Sequence, residues 1–157
     1  MVSFYKKYAY RSVEELNWNL QQVCKSGDLD AVRYLLTSDK LPKKAEMEDD
    51  PGFTWACYYG HLPIVKYLLT SPELKKHVDI HLEDDYPFAA CLKQKQLEIL
   101  KYFIFDMNIR RTPNIDLHLA LHLTPQVEKW FEMRDLNKNL IQDIKIKNKT
   151  DTKKHKL

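Results

Sequence analysis

The sequence lacks a long apolar run, and this absence sets the first limit on its class. No stretch of about 18 apolar residues occurs, so the chain offers no transmembrane helix. Residues 1–8 also lack the apolar core of a secretory signal. Hydrophobic residues make up 44% and charged residues 30% of the 157 positions, a balance typical of folded, soluble domains. We therefore expect a soluble cytoplasmic protein that does not bind a membrane.

Cysteine is scarce, and the chain has no Cys-x-x-Cys pair. Three cysteines are an odd number, which suits a reducing compartment. Two histidine pairs, His77 with His81 and His118 with His122, have the i, i+4 spacing of a zinc-binding helix face. Because no cysteine pair or nearby carboxylate completes a tetrahedral set, the sequence predicts no metal site and no cofactor.

Residues that could carry catalysis have a simpler structural interpretation. Cys24, Cys57 and Cys91 lie at helix-interior positions, where cysteine behaves as a small apolar residue. A thiol nucleophile would also need a positioned base. The acidic triplets at 48–50 and 83–85 lack the 12-residue alternation of a calcium loop, and we expect them to cap helices. The sequence predicts a non-enzymatic protein without catalytic residues or a small-molecule substrate.

Positive charge is concentrated at one end. Residues 144–157 carry six lysines against one aspartate, a net charge of +5, so a total of +3 leaves −2 for residues 1–143. A weakly acidic body argues against the broad basic face of a nucleic-acid binder. The lysine-rich tail, residues 145–157, has little to bury and should be disordered. It leaves one alternative function open, that of a nucleic-acid-associated factor using this tail.

What the chain does have is internal repetition. Tyr34, Tyr67 and Tyr102 occupy the same place in three related segments, at offsets of 33 and 35 residues. A period of this size predicts a stack of small units, each of which cannot bury its own apolar face.

The segment 48–69 shows one unit most clearly. Apolar residues from Phe53 to Cys57 recur at helical spacing, after two aspartates and Pro51 that suit a helix start. Gly60 is placed to end this helix in the left-handed conformation. A second helix follows, with Leu62, Val65, Leu68 and Leu69 facing inward. The unit is therefore helix, tight turn, helix, and then a connector that alternates apolar and polar residues.

Three motifs resemble those of the ankyrin repeat family. The segment 53–62, FTWACYYGHL, matches the family's Leu-His-x-Ala-Ala-x-x-Gly-His-Leu, and 64–69 matches its Ile-Val-x-x-Leu-Leu helix. The segment 117–121, LHLAL, is a near match that opens a fourth copy. The resemblance implies an all-α solenoid of stacked helix-turn-helix units with extended connector fingers.

The resemblance also implies a domain plan. We expect an ankyrin-repeat domain over 1–135, with units near 12–45, 46–80, 81–110 and 111–135, a capping helix at 136–144, and then the tail. The inter-helix turns of the third and fourth units depart from the family, because Lys95 and Thr124-Pro125 stand where a glycine belongs. The long connector at 70–74 resembles those of ankyrin proteins of large phages and giant viruses.

For function, the resemblance implies non-catalytic protein–protein interaction through the concave surface of fingers and first helices. Tyr58 and Tyr59 cannot both face the core of one helix, and exposed tyrosine is enriched in interfaces. Carried over position by position, the predicted partner-binding residues are Asn17, Lys25, Ser26, Met47, Glu48, Asp50, Tyr58, Tyr59, Glu83, Asp85, Lys93 and Gln94. The carboxylates in this set favour a partner with a basic contact surface. Within this class we expect a small viral or phage antagonist that occludes or sequesters a protein in the host cytoplasm.

Overall fold

The computed structural model describes residues 12–46, 51–122 and 124–154, with side chains up to residue 146. The chain divides into two compact units, one up to Leu100 and the other from Lys101 onward. The helices that begin in the first unit are α1 (Val13–Ser26), α2 (Leu29–Thr37), α3 (Gly52–Tyr59), α4 (Leu62–Thr70), α5 (Leu82–Gln94) and α6 (Leu97–Lys101). No strand occurs in the described residues. The predicted all-α fold of helix-turn-helix units is confirmed.

Local capping explains where the first two helices begin. The Ser12 hydroxyl accepts a hydrogen bond from the Glu15 amide at 3.2 Å, and the Glu15 carboxylate accepts one from the Ser12 amide at 3.2 Å. This reciprocal pair satisfies two amides that the helix itself leaves unpaired. The Asp28 carboxylate accepts from the Ala31 amide at 3.0 Å and opens α2 in the same manner.

The turns between paired helices use the left-handed backbone region. Gly27 ends α1 with a φ of 82°, and Gly60 ends α3 with a φ of 83°. Lys95 adopts the same region at the end of α5, with a φ of 56°. A side chain in this region costs about 1–2 kcal/mol, so the third turn forms in spite of its residue. Glycine's absence there strains the turn without removing it.

The first unit buries one continuous apolar layer. Helix α3 packs between α1 and α5, and α2 packs against α4. Each first helix also packs on its own second helix in the first two pairs. The largest fully buried side chains of the unit are Leu16, Leu20, Leu35, Phe53, Ile64, Leu68, Phe88, Ile99 and Leu100. Neighbouring pairs thus complete the core that one pair cannot form alone.

The two connectors repeat as closely as the helices do. The Ala45 amide donates to the Leu35 carbonyl at 3.0 Å, and the Val78 amide donates to the Leu68 carbonyl at 3.2 Å. Donors and acceptors are both 33 positions apart, the spacing of Tyr34 and Tyr67. Each connector therefore returns to the end of its own second helix before the next pair begins.

One capping prediction for the acidic triplets needs correction. The N-cap of α3 is Pro51, and the triplet 48–50 that was predicted to cap this helix lies outside the described residues. Glu83, Asp84 and Asp85 have φ values of 48°, 56° and 67° and form a left-handed turn. The right-handed part of α5 begins after them, because the turn reverses the backbone twist.

The second unit contains a π-helical turn at Tyr102–Asp106, α7 (Pro113–His122) and α8 (Pro125–Lys154). Helix α8 packs on the π-helical turn and on α7. The Arg134 guanidinium lies 4.9 Å from the Phe131 ring centroid and donates to the Ile109 carbonyl at 2.6 Å. Fully buried apolar side chains here are Phe103, Ile104, Ile115 and Phe131. No helix in the described ranges is long and apolar enough to cross a membrane.

Helix α8 differs from the expected capping helix and disordered tail. It runs without interruption from Pro125 to Lys154, through both the 136–144 segment and most of the segment expected to be disordered. The chain has no glycine or proline after Pro125, so nothing in the backbone stops a helix that has already begun. Apolar side chains of this helix from Leu136 onward are exposed instead of buried: Leu136, Leu140, Ile141, Ile144 and Ile146.

Candidate functional site

A cluster of aromatic and basic side chains forms where α1 and α3 end. We call it the aromatic cluster: Lys25, Trp55, Tyr58, Tyr59 and His61. The Trp55 ring is stacked on Tyr59 at 6.0 Å between centroids and meets Tyr58 edge-on at 5.9 Å. The Tyr58 and Tyr59 rings are 5.1 Å apart, and Tyr59 stacks on His61 at 6.4 Å. Four rings thus form one contiguous surface.

A lysine completes this surface. The Lys25 ammonium lies 5.4 Å from the Trp55 ring centroid and 5.5 Å from that of Tyr59. Both distances fall within the range of a cation–π interaction, worth about 0.5–1 kcal/mol at an exposed site. Trp55 is 36% and Tyr59 41% exposed, and Lys25 is exposed as well. The cluster therefore offers aromatic faces and one positive charge to the solvent.

Contacts from a side chain of one helix pair to the backbone of the preceding pair hold the cluster in place. The His61 Nε2 atom lies 3.0 Å from the Lys25 carbonyl oxygen, so the ring of one turn bonds to the helix end of the preceding pair. A Cβ at Gly27 would lie 2.6 Å from His61 Nδ1. Glycine is required at Gly27 both for its positive φ and for this close approach.

The next turn repeats the arrangement with a different residue. The Gln96 side-chain amide donates to the Tyr58 carbonyl at 3.0 Å. Gln96 follows Lys95 as His61 follows Gly60, and Tyr58 precedes Gly60 by two positions as Lys25 precedes Gly27. The two contacts are therefore equivalent in the repeat. They fix the backbone on both sides of the aromatic cluster.

The structure brings together part of the predicted partner-binding set. Lys25, Tyr58 and Tyr59 share the aromatic cluster, with Tyr59 exposed and Tyr58 half-buried. Ser26, Glu83 and Lys93 are exposed and Gln94 is half-buried, outside the ring contacts of the cluster as far as the described residues go. Predicted residues outside the described ranges are Met47, Glu48 and Asp50.

Two members of the predicted set have structural roles instead. Asp85, expected to be exposed for partner binding, is 2% exposed and pairs with His81 Nδ1. Burial of a carboxylate requires such a partner, and the left-handed turn directs Asp85 inward. The Asn17 side-chain oxygen accepts from the Glu46 amide at 2.8 Å, which ties the first connector to α1.

Sequence reasoning missed Trp55 and His61 as members of the site. Trp55 precedes Tyr58 and Tyr59 by three and four positions, the spacing at which helical side chains meet. That spacing alone could have placed Trp55 with the tyrosines. The contact from His61 back to Lys25 spans 36 residues and has no local signal.

The cysteines form a buried layer in the first unit. Cys24, Cys57 and Cys91 are free thiols and fully buried. The Cys91 thiol lies 3.7 Å from the Cys57 carbonyl oxygen, to which it donates. Burial, and then the neighbouring Cys91 thiol, raise the pKa of Cys57 well above its ordinary value. A thiol kept protonated and away from solvent is unsuited to nucleophilic chemistry.

The histidine pairs have other contacts or lie on the surface of a helix. His77 Nε2 lies 2.8 Å from the Ser71 carbonyl, and His81 is paired with Asp85. His118 and His122 lie on α7. Within the described part of the chain, no group of three or more His, Cys, Asp or Glu side chains could hold a metal ion.

Comparison with protein families agrees with this architecture. The family model for ankyrin repeats in three copies matches residues 20–116, which is more than half of the chain. The protein belongs to the ankyrin repeat family. No curated protein and no solved structure matches the chain. Ankyrin repeats generally mediate protein–protein interaction, and proteins built from them are typically non-enzymatic scaffolds.

Proposed function

We propose that this protein binds another protein through the aromatic cluster and acts without catalysis. The observation that carries the proposal is the contiguous surface of Trp55, Tyr59 and Lys25, exposed on a rigid helix end. Tryptophan and tyrosine dominate the residues that contribute most to binding energy in protein interfaces. Their large faces also lose few rotamers on binding, since each has two side-chain torsions.

The contacts around the cluster support binding by a preformed surface. His61 and Gln96 fix the helix ends on which the rings stand, at 3.0 Å from their carbonyl acceptors. A surface that is ordered before binding loses less entropy when the partner arrives. We therefore expect the aromatic cluster to keep its shape on binding, with the change confined to side-chain rotamers.

The proposed partner has a basic contact surface and is inhibited or sequestered by being covered. Glu83 and Asp84 are exposed and could meet its positive charges. A binder without chemistry changes its target only by occupying part of the target's surface. Together with the viral resemblance of the 70–74 connector, this supports a small phage or viral antagonist that works in the host cytoplasm.

Affinity enrichment with paired variants tests the proposal. Wild-type protein, the Trp55→Ala/Tyr59→Ala variant and the Trp18→Ala/Tyr86→Ala variant are immobilised, and retained proteins are quantified by mass spectrometry. Trp18 and Tyr86 are also exposed, at 61% and 54%, which makes the second variant a control matched in side-chain chemistry. We expect loss of the aromatic cluster to weaken the complex by about 2 kcal/mol or more.

Two outcomes would contradict the proposal. If both double variants retain the same proteins as the wild type, the aromatic cluster is not the binding site. If only deletion of residues 145–157 removes the retained species, the lysine-rich end of the chain carries the function. A nucleic acid as the retained species would then favour the alternative reading as a nucleic-acid-associated factor.

A further inference from the structure

A concave site, separate from the aromatic cluster, lies between the two connectors of the first unit. A cavity of about 560 Å³ separates the connector that follows α2 from the connector that follows α4. We call it the connector groove. Its apolar lining consists of Leu36, Ala45, Leu74, Val78 and Leu82. The volume falls within the range of about 300–1,000 Å³ found for binding clefts, and none of its lining residues belongs to the aromatic cluster.

Basic side chains stand around this apolar lining. Lys44 comes from the first connector, and Lys75, Lys76 and His77 come from the second. The Lys44 ammonium lies 3.1 Å from an Asp39 carboxylate whose side chain is 99% exposed. Such a solvent-exposed pair is worth about 0–1 kcal/mol, so Lys44 can exchange Asp39 for a carboxylate bound in the groove.

The acidic groups of the lining are already engaged. Glu73 is 3.3 Å from the Arg33 guanidinium and accepts a hydrogen bond from the Tyr67 hydroxyl at 3.1 Å. The Asp79 carboxylate accepts from the His81 amide at 2.9 Å. Three lysines stand against these two carboxylates in the lining, and the groove therefore presents a net positive charge beside its apolar side chains.

We propose that the connector groove binds an extended acidic peptide that carries an apolar side chain. The apolar side chain packs against Leu74 and Val78, while carboxylates on either side of it meet Lys44 and Lys75. A cavity of about 560 Å³ holds a segment of a few residues. A nucleic-acid backbone would contact the lysines and leave the apolar lining unused, so the peptide fits the site better.

Selection from a random peptide library tests this binding site with a defined probe. A displayed library of random 12-residue peptides is selected on the full-length protein, and enriched peptides are measured individually by fluorescence anisotropy. We expect enriched sequences that place an apolar residue between acidic ones. Lys44→Glu/Lys75→Glu should weaken them at least about tenfold, because two attractive pairs become repulsive.

Matched variants locate the bound peptide. Lys40→Glu/Lys43→Glu makes the same charge change on two exposed lysines of the first connector that do not line the groove, and it should leave the affinity within about twofold. Trp55→Ala/Tyr59→Ala should also leave peptide binding unchanged, which separates this site from the proposed function of the aromatic cluster. Circular dichroism melting confirms that each variant is folded.

Several results would overturn the inference. Enrichment of basic peptides, or of no peptides, excludes an acidic ligand. An equal loss of affinity in Lys40→Glu/Lys43→Glu and Lys44→Glu/Lys75→Glu assigns the effect to overall charge. Tighter binding of a single-stranded oligonucleotide than of the selected peptides, lost in Lys44→Glu/Lys75→Glu, assigns the groove to nucleic acid instead.

Discussion

At the scale of single residues, Gly27 meets two requirements at once: a positive φ and a close approach to the His61 ring. Gly27 has a φ of 82°, and a Cβ there would lie 2.6 Å from His61 Nδ1. We predict that Gly27→Ala lowers the free energy of unfolding by about 1–3 kcal/mol, measured by urea denaturation. In a His61→Ala protein the clash is absent. Adding Gly27→Ala to that protein should therefore lower the free energy of unfolding by only about 1 kcal/mol. Equal losses in both backgrounds would show that the close approach costs nothing.

A buried tyrosine gives the protein a pH dependence at alkaline pH. Burial, and then the Glu73 carboxylate that accepts its hydroxyl at 3.1 Å, raise the pKa of Tyr67 above its ordinary value near 10. The unfolded chain then loses the Tyr67 proton at a lower pH than the folded chain does. The resulting contribution to stability is complete below pH of about 10 and falls as the pH rises through the folded-state pKa.

The Tyr67→Phe variant isolates this effect, because phenylalanine does not titrate. We predict that the free energy of unfolding of the wild type, measured in urea from pH 8 to 11, decreases more steeply above pH of about 10 than that of Tyr67→Phe. Parallel curves would mean that other groups cause the alkaline decline.

Cysteine in the buried layer should be replaceable by alanine but not by serine. Cys57→Ser puts a hydroxyl among apolar groups and should cost about 1–3 kcal/mol if it finds no partner. Cys57→Ala should be milder and should leave partner binding intact. Urea denaturation and the affinity enrichment described above measure the two effects, and loss of binding in a folded Cys57→Ala protein would require a chemical role for the thiol.

At the scale of elements, the prediction concerns the end of helix α8, where a helix stands in place of the expected disordered tail. It includes ten residues from Lys145 to Lys154 that the sequence composition assigned to a disordered tail. We predict that deleting residues 145–157 lowers the far-ultraviolet circular dichroism signal at 222 nm, expressed per mole of protein, by roughly ten helical residues. An unchanged molar signal would return the segment to the disordered class.

Some of these elements could be predicted from the sequence and others could not. The 33-residue period, Gly60 and the apolar faces of 53–69 were enough for the helix-turn-helix unit, because these signals are local. The left-handed turn at Glu83 to Asp85 was not predictable, since acidic residues at that position equally suit a helix cap. The aromatic cluster was half predictable: Tyr58 and Tyr59 are adjacent in sequence, whereas the contact that joins His61 to Lys25 depends on packing of one pair on the next.

At the scale of the whole molecule, the protein belongs to the ankyrin repeat family, whose repeats generally mediate protein–protein interaction. In the first unit, buried side chains pack one helix pair against the next, and the three cysteines lie within this core. The two surfaces that we propose as binding sites are the one formed by Trp55, Tyr59 and Lys25 and the connector groove with its lysines.

Site-directed photo-crosslinking at Tyr59 is the most direct test of the aromatic cluster as a protein-binding site. A photoreactive benzoylphenylalanine is placed at this position in cells that contain the partner, and at the exposed Leu121 of α7 as a control. We expect one discrete protein adduct from position 59 that is lost when Trp55 is also alanine, and none of that mass from position 121. A folded protein that gives no protein adduct from position 59, or the same adduct from both positions, would contradict it.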